Sequence, residues 1–191
     1  MSKTDVIAWA KGLMERRDFL IVDVETTGFK EYDEILQVTI MNAWGKVCFS
    51  SLVKPLRPID EAGSAFATNG ISEAMVQNAP TFPSVYKWVW QWLTDKTVVA
   101  YNAEFDKKML RQCSGFVNRP ALECNWQCAM LKYSEFDGTP GKYAGEFKWH
   151  KLSDAIATMT DRHYEFHDAG ADCRATYDLI EAMAEQKETT K

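Results

Sequence analysis

The sequence predicts an α/β protein with a central mixed sheet of five strands and helices on its faces. Two observations lead there. Three β-type runs come first, joined by short turns, as in an antiparallel meander. Segments of helical and strand period then alternate, which places helices against the sheet.

The elements follow in order. Residues 4–16 carry Val6, Trp9, Ala10, Leu13 and Met14 on one side of a helix. Residues 18–25, 34–41 (EILQVTIM) and 46–53 (KVCFSSLV) are the three early strands. Residues 71–77 form a short helix, and 83–94 a longer one with proline in its first turn. A fourth strand spans 97–102 (TVVAYN), followed by a helix over 103–113. A fifth strand lies near 124–126, with a helix after it. Residues 152–159 and 168–186 are the closing helices. The polar end, 187–191, is expected to fray.

Composition narrows the function classes. The 191 residues make one domain of ordinary size, 1–191, and 46% hydrophobic content supports a core. Apolar runs are too short to span a membrane. The charged first residues contain no signal-peptide apolar region, so a cytoplasmic protein is expected. The five scattered cysteines read as reduced thiols, including the pair Cys124 and Cys128. No G-x-G-x-x-G follows the first strand and no Walker-type phosphate loop occurs, which argues against a dinucleotide or P-loop enzyme. The net charge of −5 runs against nucleic-acid binding, which usually goes with a basic surface.

Three places set acid on an apolar face. In FLIVDVETTGF, Asp23 and Glu25 are two apart on a strand and point the same way. Two such charges repel and resist leaving water, unless a proton or a cation intervenes or both reach solvent at the strand end. In AYNAEFDKKMLRQC, Asp106 shares a helical stripe with Met109, Leu110 and Cys113, although an acid in a first turn also suits the helix dipole. In HDAGADCRATYDLIEAM, Asp172 shares one with Thr176, Leu179, Ile180 and Met183, and His167 lies five residues upstream. The same violation on three elements points to a functional site. Four carboxylates suit hard cations, Mg²⁺ or Mn²⁺, and two-metal phosphoryl chemistry.

These motifs resemble those of the DnaQ-like, or DEDDh, 3′–5′ exonucleases. DVETTGF is similar to the first exonuclease motif, VVAYNAEFDKKML to the second and HDAGADCRAT to the third. The sister group has Tyr four residues before the last Asp; here that residue is Asp168. The resemblance covers residues 18–183 and implies a ribonuclease H-like fold of the stand-alone bacterial or phage type. It implies two divalent cations on Asp23, Glu25, Asp106 and Asp172, with His167 as the base that takes the proton from the attacking water. Substrate contacts are expected at Thr26, Thr27, Gly28, Phe29, Asn69, Ile71, Asn102 and Phe105. The family often has His-Gly-Ile between its first two motifs; ATNGIS has Asn69 in place of that His, before Gly70 and Ile71.

The expected activity is release of 5′-nucleoside monophosphates from the 3′ end of single-stranded nucleic acid, DNA favoured over RNA. An exoribonuclease of the same family is the alternative, and a non-catalytic scaffold the reading from another class. KYAGEFKWHK, residues 142–151, interleaves three Lys with Tyr143, Phe147 and Trp149, which suits a single-strand groove or an ordinary solvated loop. No clamp- or polymerase-binding tail is expected after the last helix. Pairing into a homodimer stays open.

Overall fold

The computed structural model describes residues 2–187. The tail expected to fray lies, from residue 188 on, outside the described residues. In chain order the elements are α1 (Lys3–Arg16), β1 (Phe19–Thr26), β2 (Ile35–Asn42), β3 (Val47–Leu52), α2 (Ser64–Asn69), α3 (Glu73–Val76) and α4 (Phe82–Leu93). Then follow β4 (Thr97–Ala100), α5 (Ala103–Phe116), β5 (Asn125–Cys128), α6 (Ala129–Asp137), α7 (Leu152–Met159) and α8 (Ala169–Ala184). The strands form one sheet in the order β3-β2-β1-β4-β5. β1 to β3 are the antiparallel meander the sequence predicts, and β4 and β5 run parallel to β1.

β1 is buried on both sides because its side chains alternate between two cores. Phe19 and Ile21 join α1, α6 and α8 through Ala10, Tyr133 and Ile180. Leu20, Val22 and Val24 join α4 and α5 through Val89, Met109 and Leu110. Leu36, Ile71 and Val76 form a small third cluster. Helix α1 begins in a capping box: the Asp5 amide donates to Ser2 Oγ at 3.2 Å and the Ser2 amide to Asp5 Oδ2 at 2.7 Å. No helix among the described residues is long and apolar enough to cross a membrane.

Helix α2 falls in a stretch for which the sequence predicts no element. None of its six residues is buried, so it carries no apolar period to detect. Gly70, at φ +65°, ends it in the left-handed conformation. The short helix expected over 71–77 is reduced to α3, because Ile71 turns into the core and Ser72 caps the turn behind it.

One polar contact ties the last helix to the segment before it. Asp178 of α8 is 2% exposed, accepts a hydrogen bond from Tyr164 Oη and pairs with Arg162. Removal of Asp178 leaves the Tyr164 hydroxyl without its buried acceptor. Asp178→Ala should lower stability by about 2–3 kcal/mol, seen as a shifted urea midpoint. A midpoint equal to the wild type would mean the contact contributes nothing.

Candidate active site

The site begins with a mismatch of strand lengths. β4 pairs with β1 only over Phe19–Ile21 and ends at Ala100, whereas β1 continues to Thr26. The far end of β1 therefore lacks a strand neighbour on that side, and a cleft opens beyond the carboxyl end of β4. Helix α5 starts beside this gap. Asp106, in its first turn and 3% exposed, accepts the Val24 amide on Oδ1 at 3.1 Å. A side chain replaces the missing ladder bond, which satisfies a buried backbone donor.

Helix α8 supplies the opposite wall. Its first residues are held by Asp168, whose Oδ1 accepts the Gly170 and Ala171 amides, each at 3.0 Å. Asp168 Oδ2 accepts from Gln37 Nε2 at 3.0 Å, and the Ala169 amide donates to Gln37 Oε1 at 3.2 Å. Gln37 is the register partner of Glu25 across β1 and β2, so this pair of bonds sets α8 against the end of the meander. His167 has φ +71°, uncommon outside glycine, and its amide donates to Asp172 Oδ2 at 3.2 Å.

Asp23, Glu25, Asp106, His167 and Asp172 line one cleft of about 680 Å³. Glu25, His167 and Asp172 each present a ligand atom, and the three atoms lie within 4.8 Å of one another. Burial, then the nearby Asp106, Asp172 and Glu25, pushes the Asp23 carboxyl well above its usual range. Burial and Asp172 raise Glu25 to about 7. Burial raises Asp106 to about 8 and Asp172 to about 6. Asp172 Oδ1 is buried with no hydrogen-bond partner. An orphaned carboxylate oxygen beside other carboxylates fits a hard divalent cation.

The remaining expected contacts divide in two. Asn102 and Phe105 line the same cleft, Asn102 exposed at the start of α5 and Phe105 half-buried. Thr27, Gly28 and Phe29 line a neighbouring groove of about 320 Å³, with Phe29 exposed. A Cβ on Gly28 would run into the Asp33 carboxylate, which accepts from Thr27 Oγ1 at 2.8 Å and the Lys30 amide at 2.7 Å. Thr26 is buried and its hydroxyl donates to the Gly28 carbonyl at 2.7 Å. Asn69 Nδ2 donates to the Thr26 carbonyl at 3.0 Å, and Asn69 Oδ1 accepts the Ile71 amide at 3.1 Å. Asn69 thus stitches the loop after α2 to the end of β1. Ile71, 3% exposed in the third core, is not brought to the cleft.

Sequence reasoning missed Thr68, Tyr101, Leu152 and Phe166, which also line the cleft, as does Lys151 from the basic and aromatic segment 142–151. None of those missed breaks an apolar pattern, so none carried a local signal. Gln37 did carry one, a polar residue within EILQVTIM.

The raised carboxyls make stability depend on pH. Unfolded Asp and Glu titrate at about 4. Between there and the raised values the folded protein binds more protons than the unfolded chain, so stability falls as pH rises through that window. With chelator present, the thermal midpoint should drop from pH 5 to pH 8, and Asp23→Asn should shrink the drop. A midpoint that holds level or climbs over this range would show that the carboxyls are not crowded.

Residues 20–180 match the RNase_T family model, described as an exonuclease. The chain is 35% identical over 174 residues to the uncharacterized exonuclease CP81 of Escherichia phage 186, covering 87% of this chain and 88% of that protein. It is 31% identical over 175 residues to the 3′-5′ exonuclease DinG of Bacillus subtilis, which spans 85% of this chain but only 17% of that longer protein. Among solved structures, exonuclease X in complex with 5′ overhanging duplex DNA shares 27% identity at a TM-score of 0.61, covering 86% of this chain and 90% of that one. With its five-stranded mixed sheet and its helices, the fold matches the ribonuclease H-like exonucleases. The chain therefore belongs to the RNase T-type, DnaQ-like family of exonucleases, and is a nuclease enzyme.

Proposed function

We propose that this exonuclease hydrolyses the terminal phosphodiester at the 3′ end of single-stranded nucleic acid, preferably DNA, and releases a 5′-nucleoside monophosphate. The observation that carries this reading is the convergence of Asp23, Glu25, Asp106, Asp172 and His167 in one cleft. Similarity to a protein named a 3′-5′ exonuclease supports the direction.

Asp23, Glu25, Asp106 and Asp172 would hold two divalent cations, Mg²⁺ or Mn²⁺, which supply water activation and charge neutralisation at the phosphate. His167 takes a proton from the attacking water on a ring nitrogen, as a general base. The water oxygen bonds to phosphorus and the bond to the 3′ oxygen of the preceding nucleotide breaks. That oxygen leaves and takes a proton from solvent water to become the new 3′-hydroxyl. Asp106 also holds the end of β1 through the Val24 amide, so the cleft keeps its shape as charge changes within it. Asn102 and Phe105, which line the same cleft, would meet the terminal nucleotide. Thr27, Gly28 and Phe29 would contact the strand from the adjoining groove, in a turn held by the hydroxyl of buried Thr26.

A second substrate is favoured by one relative. Exonuclease X was solved with a duplex bearing a 5′ overhang, so a recessed 3′ end belongs in the assay.

The test is a time course on 5′-labelled single strands of DNA and RNA and on the recessed duplex, with Mg²⁺, Mn²⁺ or EDTA. A metal-dependent ladder descending from the 3′ end is expected, lost in Asp23→Ala and Asp172→Ala. Full activity in either variant would remove the carboxylates from the chemistry. Cleavage of strands blocked at their 3′ ends would indicate an endonuclease, and no cleavage of any substrate a scaffold.

His167→Ala should lower kcat by about 10²–10⁴ while Mn²⁺ still raises the thermal midpoint. Loss of the Mn²⁺ effect would make His167 a ligand instead of the base.

A further inference from the structure

The segment between α6 and α7 contributes no acid to the cluster, yet it leads out of the same cleft. It is a built arm. The Gly141 amide donates to the Glu146 carbonyl at 2.8 Å and the Lys148 amide to the Thr139 carbonyl at 2.9 Å, closing a small hairpin. At its tip the Glu146 amide donates to the Tyr143 carbonyl at 3.1 Å, with Gly145 at φ +84° in the turn.

Its foot is fastened to the cleft wall. Tyr101 Oη donates to the His150 carbonyl at 2.7 Å, the His150 ring meets Tyr133 edge-on, and His150 Nε2 lies 3.1 Å from Asp137 Oδ2. Tyr101 lines the carboxylate cleft, as do Lys151 and Leu152, the next residues along the chain. Between foot and tip the arm frames its own hollow of about 540 Å³, lined by Lys142, Lys148 and Trp149 among others.

What the arm displays is unusual for a solvated loop. Tyr143 is 63% exposed and Trp149 68% exposed. Lys142 Nζ lies 5.5 Å from the centre of the Tyr143 ring. Residues 139–151 carry three Lys and one Glu, in a chain whose net charge is −5. Large rings left in water on an ordered hairpin, with cations between them, suit a ligand that alternates flat bases with phosphates.

We propose that residues 139–151 form a guide for the single strand behind the scissile nucleotide, with Tyr143 and Trp149 stacking on bases and Lys142 and Lys148 contacting phosphates. This rests on the reading of the cleft as the seat of a 3′ terminus. The contacts are insensitive to base identity, because every base offers a flat face. The arm answers the charge objection locally: the acids occupy the cleft and the cations flank its exit.

The test separates the arm from the chemistry. Binding of a fluorescent single strand, blocked at its 3′ end, is measured by anisotropy at several salt concentrations. The proteins are the wild type, Tyr143→Ala, Trp149→Ala and the double variant Lys142→Ala/Lys148→Ala. Hydrolysis of the p-nitrophenyl ester of thymidine 5′-monophosphate, which has no upstream strand, is followed alongside and reports an intact cleft.

Each aromatic variant should raise Kd by about 5- to 100-fold. The double lysine variant should flatten the slope of log K against log salt by about 0.7 for each phosphate that is no longer neutralised. Ester hydrolysis should stay at the wild-type rate. Wild-type binding in all three variants would overturn the guide and assign the exposed rings to a protein partner, while leaving the exonuclease reading intact. Weakened binding in variants of a protein that cleaves neither ester nor strand would keep the strand contacts of residues 139–151 but overturn their role as a guide, because the exonuclease reading falls.

Discussion

Mutual repulsion among four carboxylates is the constraint on which the rest of this structure depends. Asp23, Glu25, Asp106 and Asp172 are brought together by a strand and two helices that would each be stable with the acid elsewhere. Burial and proximity raise all four above the usual carboxylate range, to about 7, 8 and 6 for Glu25, Asp106 and Asp172. Such a cluster works against folding at neutral pH unless something positive joins it. The scaffold must therefore hold the acids in place by other means.

Those means are visible around the cleft. Asp106 is tied to the Val24 amide, where β4 has ended and β1 has no strand beside it. Gln37 reaches from β2 to Asp168 and Ala169 and holds the first turn of α8. Asp178 receives Tyr164 and Arg162 and draws in the segment that leads to His167. Each is a polar contact between separate elements, and those of Asp106 and Asp178 are made where an unpaired group is costly. Together they position the acids without relying on attraction among them.

Charge and function are reconciled by location. A net acidic chain would repel a polyanion over most of its surface. Lys151 lines the acidic cleft, and Lys142, Lys148 and Trp149 line the hollow of the arm that runs from it. An enzyme that trims ends must release its substrate between turnovers, so a small cationic surface serves it better than a strongly basic face.

The sequence by itself determined the sheet's composition and the identity of the acids. Strand period put Asp23 and Glu25 on one face, and helical period put Asp106 and Asp172 on apolar stripes; local geometry and burial are written in such spacings. Three motifs in order then sufficed for the family. The tertiary structure alone decided which of the expected contacts share the cleft. It set Asn102 and Phe105 beside the carboxylates, put Thr27, Gly28 and Phe29 in the next groove and turned Ile71 into the core. It alone revealed Gln37 as the brace of α8, the Tyr164–Asp178 contact and the hairpin at 139–148. The reason is that these features depend on which residues the folded chain brings together and on where one strand stops short of another, and no local period encodes either.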